Sequence, residues 1–198
     1  MDIRKKNVDI IRAMALLLVV VYHAWVLSGS HEIPFFPLKL LVSLGGEIGV
    51  TIFFLISGFG LFYSLDRKEQ NYFCFMKRRF VRIAPEYYVF LMFLLFFTPS
   101  VGYISFAGMK DVLLHLLFLH NITPQTSGTI NGVLWTMAVT VQFYLIAKPM
   151  YKCIRKFPVV TLLVGVLFTV SFKYVCFHYL MNHFYVDQPF WYSRNIFF

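Results

Sequence analysis

Residues 12–23 read "RAMALLLVVVYH", an almost pure hydrocarbon segment that opens with a permanent cation and closes with an imidazole. It lies inside an apolar run, 10–27, that approaches the roughly 20 helical residues needed to cross a hydrocarbon core of about 30 Å. The run shows no strand-like alternation, so a helix is expected. No small-residue cleavage site follows it and more apolar runs do, which marks a retained anchor rather than a cleaved leader.

The rest of the chain has the same character. Of its 198 residues 59% are hydrophobic, 20% aromatic and only 14% charged, and the mean hydropathy is +0.70, far from soluble averages. Further runs at 38–65, 84–97, 133–147 and 158–180 predict an all-α, polytopic transmembrane bundle: one domain over 1–198 with about five spans. The aromatic ending "DQPFWYSRNIFF" reads as the start of a sixth span, so the domain is expected to be incomplete at its C-terminus. Residues 111–120, "DVLLHLLFLH", would rise only about 15 Å as a helix. They are too short to cross, and an interfacial or re-entrant helix on the outer side is expected.

A net charge of +9 would suggest nucleic acid in a soluble protein, but here the cations gather at segment ends. The clusters are "RKK" at the N-terminus, "DRKEQNYFCFMKRRFVR" at 66–82 and "KPMYKCIRK" at 148–156. The positive-inside rule puts all three, and the N-terminus, in the cytoplasm. Each neighbouring pair must then be separated by an even number of crossings, which the five spans satisfy only if 111–120 does not cross. Cys74, Cys153 and Cys176 have no spacing that suggests a disulfide framework or a zinc site.

On a helix the eleven steps from Arg12 to His23 leave an angular offset of about 20° and a rise of about 16 Å. The two residues therefore lie on one seam, with Asp9 near it. Arg12 reads either as a snorkelling anchor or as a functional cation. His23 is costly within a span, and reads either as a functional group facing the bundle interior or as a neutral ring bonded to another helix. Metal binding is not expected: the pairs His115/His120 and His178/His183 are five apart, about 140° around a helix, which is poor for shared ligation.

Three further stretches stand out. In "KRRFVRIAPEYY", 77–88, Arg79 and Arg82 are three apart and would offer two guanidinium forks to a phosphate-bearing ligand, unless the loop is basic only to fix topology. Pro85 and Glu86 there suit the first turn of a helix. In "GGEIGVTIFFLISGFG", 45–60, Gly45, Gly46, Gly49, Ser57 and Gly58 are expected packing positions. In "NGVLWTMAVTVQFYLI", 131–146, Asn131 suits a helix cap, Trp135 an interfacial anchor and Gln142 a buried hydrogen-bond partner.

Together these stretches resemble the acyltransferase type 3 family of integral membrane O-acyltransferases. "DIIRAMALLLVVVYH" resembles the family's first span with its Arg, ten residues, His pattern. "GVTIFFLISGF" resembles its Gly-Val-x-x-Phe-Phe-x-x-Ser-Gly-Phe segment, "RRFVRIAPEYY" its Arg-x-x-Arg-Ile-x-Pro-x-Tyr loop, and "NGVLWTMAVTVQFYLI" its Asn-x-x-x-Trp-[Ser/Thr]-Leu stretch.

The resemblance implies transfer of an acyl group, acetyl being the first expectation, from acyl-coenzyme A at the cytoplasmic side to a hydroxyl of an envelope glycan outside. No tightly bound cofactor or metal is implied, and the setting is the bacterial inner membrane. His23 takes the essential histidine position, Arg12 its paired arginine, and Arg79 and Arg82 the arginines linked to donor binding. Asn131, Trp135 and Tyr144 fall in the stretch assigned to the acceptor. The sequence departs from the family at Thr51, Thr140 and Val141, where it is usually acidic, and offers about half the usual spans. A non-catalytic, truncated or degenerate membrane protein acting by association is the alternative.

Overall fold

Backbone N–H and C=O groups in a hydrocarbon layer have no water to bond, so an apolar chain must satisfy them within its own segments. The computed structural model describes residues 3–67, 71–97, 108–123, 125–175 and 178, and helices account for its regular structure. In chain order they are α1 (Ile3–Leu27), α2 (Phe36–Arg67), α3 (Tyr72–Phe97), α4 (Met109–Leu116), α5 (Trp135–Lys156) and α6 (Pro158–Val175). The chain divides into two compact units, Met1–Lys68 and Glu69–Phe198.

The first unit is the antiparallel hairpin of α1 and α2. Small residues decide its packing: Gly45, Gly46 and Gly49 are buried on α2, opposite Ala15, Leu18 and Tyr22 of α1. A Cβ added at Gly49 would stand 2.6 Å from the Ala15 carbonyl oxygen, and one at Gly45 would stand 3.1 Å from that of Leu18. The helices therefore approach backbone to backbone, as close helix pairs in membranes do. Gly58 has open space around its Cβ position, so the expectation that it packs is corrected. The opposite stripe of α1, with Ile10, Met14, Leu17 and Val21, is exposed, as a lipid-facing side should be. The connection turns through Gly29 and Ser30, both at positive φ, and the Trp25 indole N–H donates to the His31 carbonyl at 2.9 Å.

In the second unit α3 packs on α5 and α5 on α6. Its core joins Tyr87, Leu91 and Leu94 of α3, Phe118, Ile130 and Leu134 of the connecting segment, and Ala138 and Val141 of α5. α3 begins at Tyr72, twelve residues before the expected span, so Pro85 lies inside a helix and not at its first turn. Phe75 and Ala84 are buried on that early part; their packing carries the helix through a residue that cannot donate its own backbone bond.

α4 ends at Leu116, short of the expected 120, because Phe118 turns into the left-handed region at φ 56°. Its last carbonyls are met by α3: Tyr87 Oη donates to the His115 oxygen at 3.0 Å and Tyr88 Oη to that of Leu116 at 2.8 Å. From α5, Gln142 Nε2 donates to the Phe118 carbonyl at 2.9 Å and exchanges two bonds with the Asn121 amide, at 2.7 and 3.1 Å. Gln142 is thus the hydrogen-bond partner the sequence predicts.

Among the described residues four helices are long and apolar enough to cross a membrane: α2, α3, α6 and the Asn7–Leu27 part of α1. The remaining expected span, 133–147, is helical as part of α5. That helix runs on through Lys148, Lys152, Arg155 and Lys156 and is not among the four. The end of the span expected at 158–180, and the aromatic ending, lie outside the described residues except for His178.

The hairpin contact predicts opposite signs for two glycines on one helix. Gly49→Ala should lower the stability of the purified protein in detergent by about 1–3 kcal/mol, because backbone must move. Gly58→Ala should be neutral or stabilising by up to about 1 kcal/mol of helix propensity. Reversible unfolding measures both. By the same method Gln142→Leu, which removes the bonds to the Phe118 carbonyl and the Asn121 amide, should cost about 1–3 kcal/mol.

Candidate active site

His23 lies on an unbroken stretch of α1, half-buried, with its ring edge-on to Tyr22 at 5.2 Å between centroids. Its Nδ1 stands 2.7 Å from the Val19 carbonyl oxygen, one turn back. A carbonyl only accepts, so Nδ1 carries the proton. In the neutral ring Nε2 then holds an in-plane lone pair, which is the tautomer a general base requires.

Arg12 is on the same helix, so the rise of about 16 Å and the shared seam both follow from its continuity. The guanidinium pairs with Asp9 at 3.7 Å, a largely exposed contact that holds little energy. A Cβ placed on Gly60 of α2 would stand 3.3 Å from Arg12 Nη2. The missing side chain at Gly60 therefore makes room for the guanidinium against α2. The sequence marked Gly60 only as part of a motif. Its partner becomes apparent only once α2 lies antiparallel to α1.

The other expected site residues belong to the second unit. Arg79 and Arg82 share one side of α3, Arg79 half-buried and Arg82 exposed. The Arg79 guanidinium carbon lies 5.7 Å from the ring centroid of Phe75 and 5.8 Å from that of Tyr144 on α5. Aromatic faces attract a cation electrostatically and limit its rotamers without using its N–H donors. An aromatic-flanked guanidinium keeps its fork available for an anion. Tyr144, expected at the acceptor, is thus a neighbour of the cation expected at the donor.

Asn131 caps a turn earlier than expected. Its Oδ1 accepts from the Val133 N–H at 2.9 Å, while α5 itself starts after Leu134 with no side-chain cap. Trp135 is the first residue of α5 and half-buried. Thr140 donates back to the Thr136 carbonyl at 2.7 Å, and Val141 is buried in the core. Two of the three positions at which the family resemblance implies an acidic residue are therefore occupied by a self-satisfied hydroxyl and by a packing residue.

One polar group was not foreseen. His115 and His120 are both fully buried, with rings stacked at 3.9 Å and 4° between planes. The 140° separation assumed one helix through both residues. The turn at Phe118 instead folds His120 back over His115. Parallel rings direct their in-plane lone pairs side by side, so shared ligation of one ion is still poorly served. Beside them Asp111, also buried, accepts from Thr129 Oγ1 at 2.7 Å. The available signal was the recurrence of polar residues in "DVLLHLLFLH", which has no purpose in a merely apolar interfacial helix.

Residues 5–198 match the family described as an acyltransferase domain, the acyltransferase type 3 group. Among curated proteins the chain is 29% identical over 143 residues to the regulator of hypoxia-inducible factor 1 of Caenorhabditis elegans, covering 66% of this chain and 28% of that one. It is 29% identical over 119 residues to the acyltransferase MdmB of Streptomyces mycarofaciens, covering 58% and 30%. To the peptidoglycan O-acetyltransferase OatA of Listeria monocytogenes it is 29% identical over 156 residues, covering 71% and 23%. The aligned part thus spans less than a third of each relative. No solved structure matches. The family match runs from the first turns of α1 to the last residue, across the four described helices able to cross a membrane, and this chain belongs to the acyltransferase type 3 family.

Proposed function

We propose that this chain carries the acyl-transfer half-site of a multi-pass O-acyltransferase of the bacterial inner membrane, which moves an acyl group, acetyl first, from acyl-coenzyme A to a glycan hydroxyl. The observation that carries it is the His23 tautomer: the bond from Nδ1 to the Val19 carbonyl leaves Nε2 as the basic atom. The basic clusters put the N-terminus in the cytoplasm, so Arg12 stands at the donor's side and His23 in the outer half of the membrane. The rise of about 16 Å between them suits the extended pantetheine arm of a donor whose phosphates lie at Arg12; Arg79 and Arg82 of the second unit offer guanidinium forks of the kind that hold phosphates.

In the reaction His23 Nε2 takes the proton of the acceptor hydroxyl as its oxygen attacks the thioester carbonyl. A carbon–oxygen bond forms, the carbon–sulfur bond breaks, and the departing thiolate recovers a proton. Asn131 and Trp135 are the acceptor's contacts, and Tyr144 acts with Arg79. The named activity of OatA on peptidoglycan supports a cell-wall saccharide as acceptor.

Transfer of labelled acetyl from acetyl-coenzyme A by the full-length gene product in membranes tests this. His23→Ala should lower kcat by about 100- to 10,000-fold, the usual contribution of a positioned base, and undiminished activity would overturn the mechanism. Arg79→Ala should raise the donor KM by about 10-fold or more, as loss of a charge-assisted bond does, with a smaller effect on acceptor KM. Thr140 and Val141 favour the second reading, a protein acting by association. Failure of a folded protein to bind acyl-coenzyme A would select it.

A further inference from the structure

Buried polar atoms almost always find a partner. Among the described residues of the second unit four have no partner within hydrogen-bond distance: Asp111 Oδ2, His115 Nε2, and both ring nitrogens of His120. All three residues are 0–1% exposed. Such a concentration of unmet groups in one place is costly and calls for a purpose.

The group ties α4 to the segment that leads into the expected acceptor stretch. The single hydroxyl proton of Thr129 is shared between two acceptors, Asp111 Oδ1 at 2.7 Å and the Thr126 carbonyl at 2.8 Å. Thr126 Oγ1 donates to the His120 carbonyl at 2.7 Å. The next residue, Ile130, is fully buried at φ 57°. A β-branched residue there is strained and persists only because its surroundings hold it. Asn131 follows directly, its N–H donating to the Thr129 carbonyl at 2.6 Å.

We propose that Asp111, His115, His120 and Thr129 form an acid-sensitive latch that positions residues 131–135, and that protonation of the stacked imidazoles releases the segment from Asn121 to Ile130. The positioning clause rests on the acceptor role given above to Asn131 and Trp135; the latch itself does not.

The charge balance favours neutral rings when the latch is closed. Two imidazolium rings at 3.9 Å would repel each other in a desolvated place. Burial pushes the His115 ring below its ordinary range, against the Asp111 carbonyl and carboxylate and the Thr129 carbonyl, which oppose the shift. Burial, with the neighbouring His115 next, pushes His120 down to about 3, against the Leu134 carbonyl. Around the pair, α4 supplies the Asp111 carboxylate and α3 the Tyr87 hydroxyl on the His115 carbonyl, while α5 supplies the neutral Gln142 amide to the same segment. Because the closed-state values are lowered, the closed form is fully favoured above about 6.5, the ordinary histidine value. It loses that advantage as pH falls from there toward the closed-state values, since the open form takes up the protons.

Hydrogen exchange of the full-length protein in nanodiscs, corrected for the intrinsic pH dependence of exchange, reads the latch directly. From pH 7.5 to 4.5 the protection of residues 119–131 should fall by about 90-fold for His120 alone, and by more with His115. Protection of α6 should change by less than about threefold over the same range. A double variant, His115→Phe and His120→Phe, keeps stacked rings and removes the protons, so its protection should be flat with pH. A wild-type segment whose protection does not fall, or a folded double variant that keeps the wild-type slope, overturns the latch. Should the double variant not fold, the wild-type profile and His120→Phe, which should lose at least a tenfold share of the fall, decide.

Positioning is read by the acceptor KM in the acetyl-transfer assay. Thr129→Val should raise it by about tenfold, with kcat and donor KM within about threefold, and Thr129→Ser should restore it. An unmoved acceptor KM in active enzyme overturns the positioning clause alone. Absence of transfer by the wild-type protein defeats the acyltransfer reading and leaves the exchange result standing by itself.

Discussion

Most polar groups that this chain carries out of water are met by another protein atom, and much of the arrangement follows from how that is done. Along the helices, side chains turn back onto their own backbone: His23 on Val19, Thr140 on Thr136 and Thr161 on Phe157. At the end of α4, where carbonyls are left over, Tyr87 and Tyr88 reach across from α3. The Asn121 and Gln142 amides close on each other and fix the connecting segment to α5. The same requirement that shapes the scaffold thus sets the His23 tautomer on which the proposed base catalysis rests.

Two sets of contacts divide the work. In the first unit no polar network is needed, because missing side chains at Gly45, Gly46 and Gly49 let two backbones meet, and dispersion over that close approach holds the pair. A missing side chain also accommodates the Arg12 guanidinium at Gly60. In the second unit the connecting segment is held by hydrogen bonds around an aromatic core, with Phe118 against Tyr87 at 4.4 Å between ring centroids. Polar ties of this kind are directional and can respond to protonation, whereas close-packed hydrocarbon cannot.

Thr140 and Val141 show how a departure from a family pattern can be absorbed. Thr140 bonds within its own helix and leaves no unmet group. Val141 sits with Leu91, Phe118 and Leu134, where a carboxylate would have to be desolvated. Neither position thus carries a carboxylate, and the buried carboxylate among the described residues of the second unit is Asp111.

The sequence by itself determined the class of fold, since long apolar runs without alternation can close their backbone bonds only as helices. It also determined the seam, because Arg12 and His23 are spaced along one uninterrupted helix whose geometry is local. Gln142 as a hydrogen-bond partner was legible because an amide in an apolar stretch has few alternatives. Pro85 misled, as its local preference for a first turn was overridden by the packing of Phe75 and Ala84. Only the tertiary structure decided that Arg79 lies beside Tyr144, that Gly60 makes room for Arg12, and that Asp111, Thr129 and two stacked histidines share one buried place. Those contacts join residues whose separation in the chain is closed by turns. A left-handed turn at Phe118, stabilised by its burial in the core, leaves no periodic trace in a sequence.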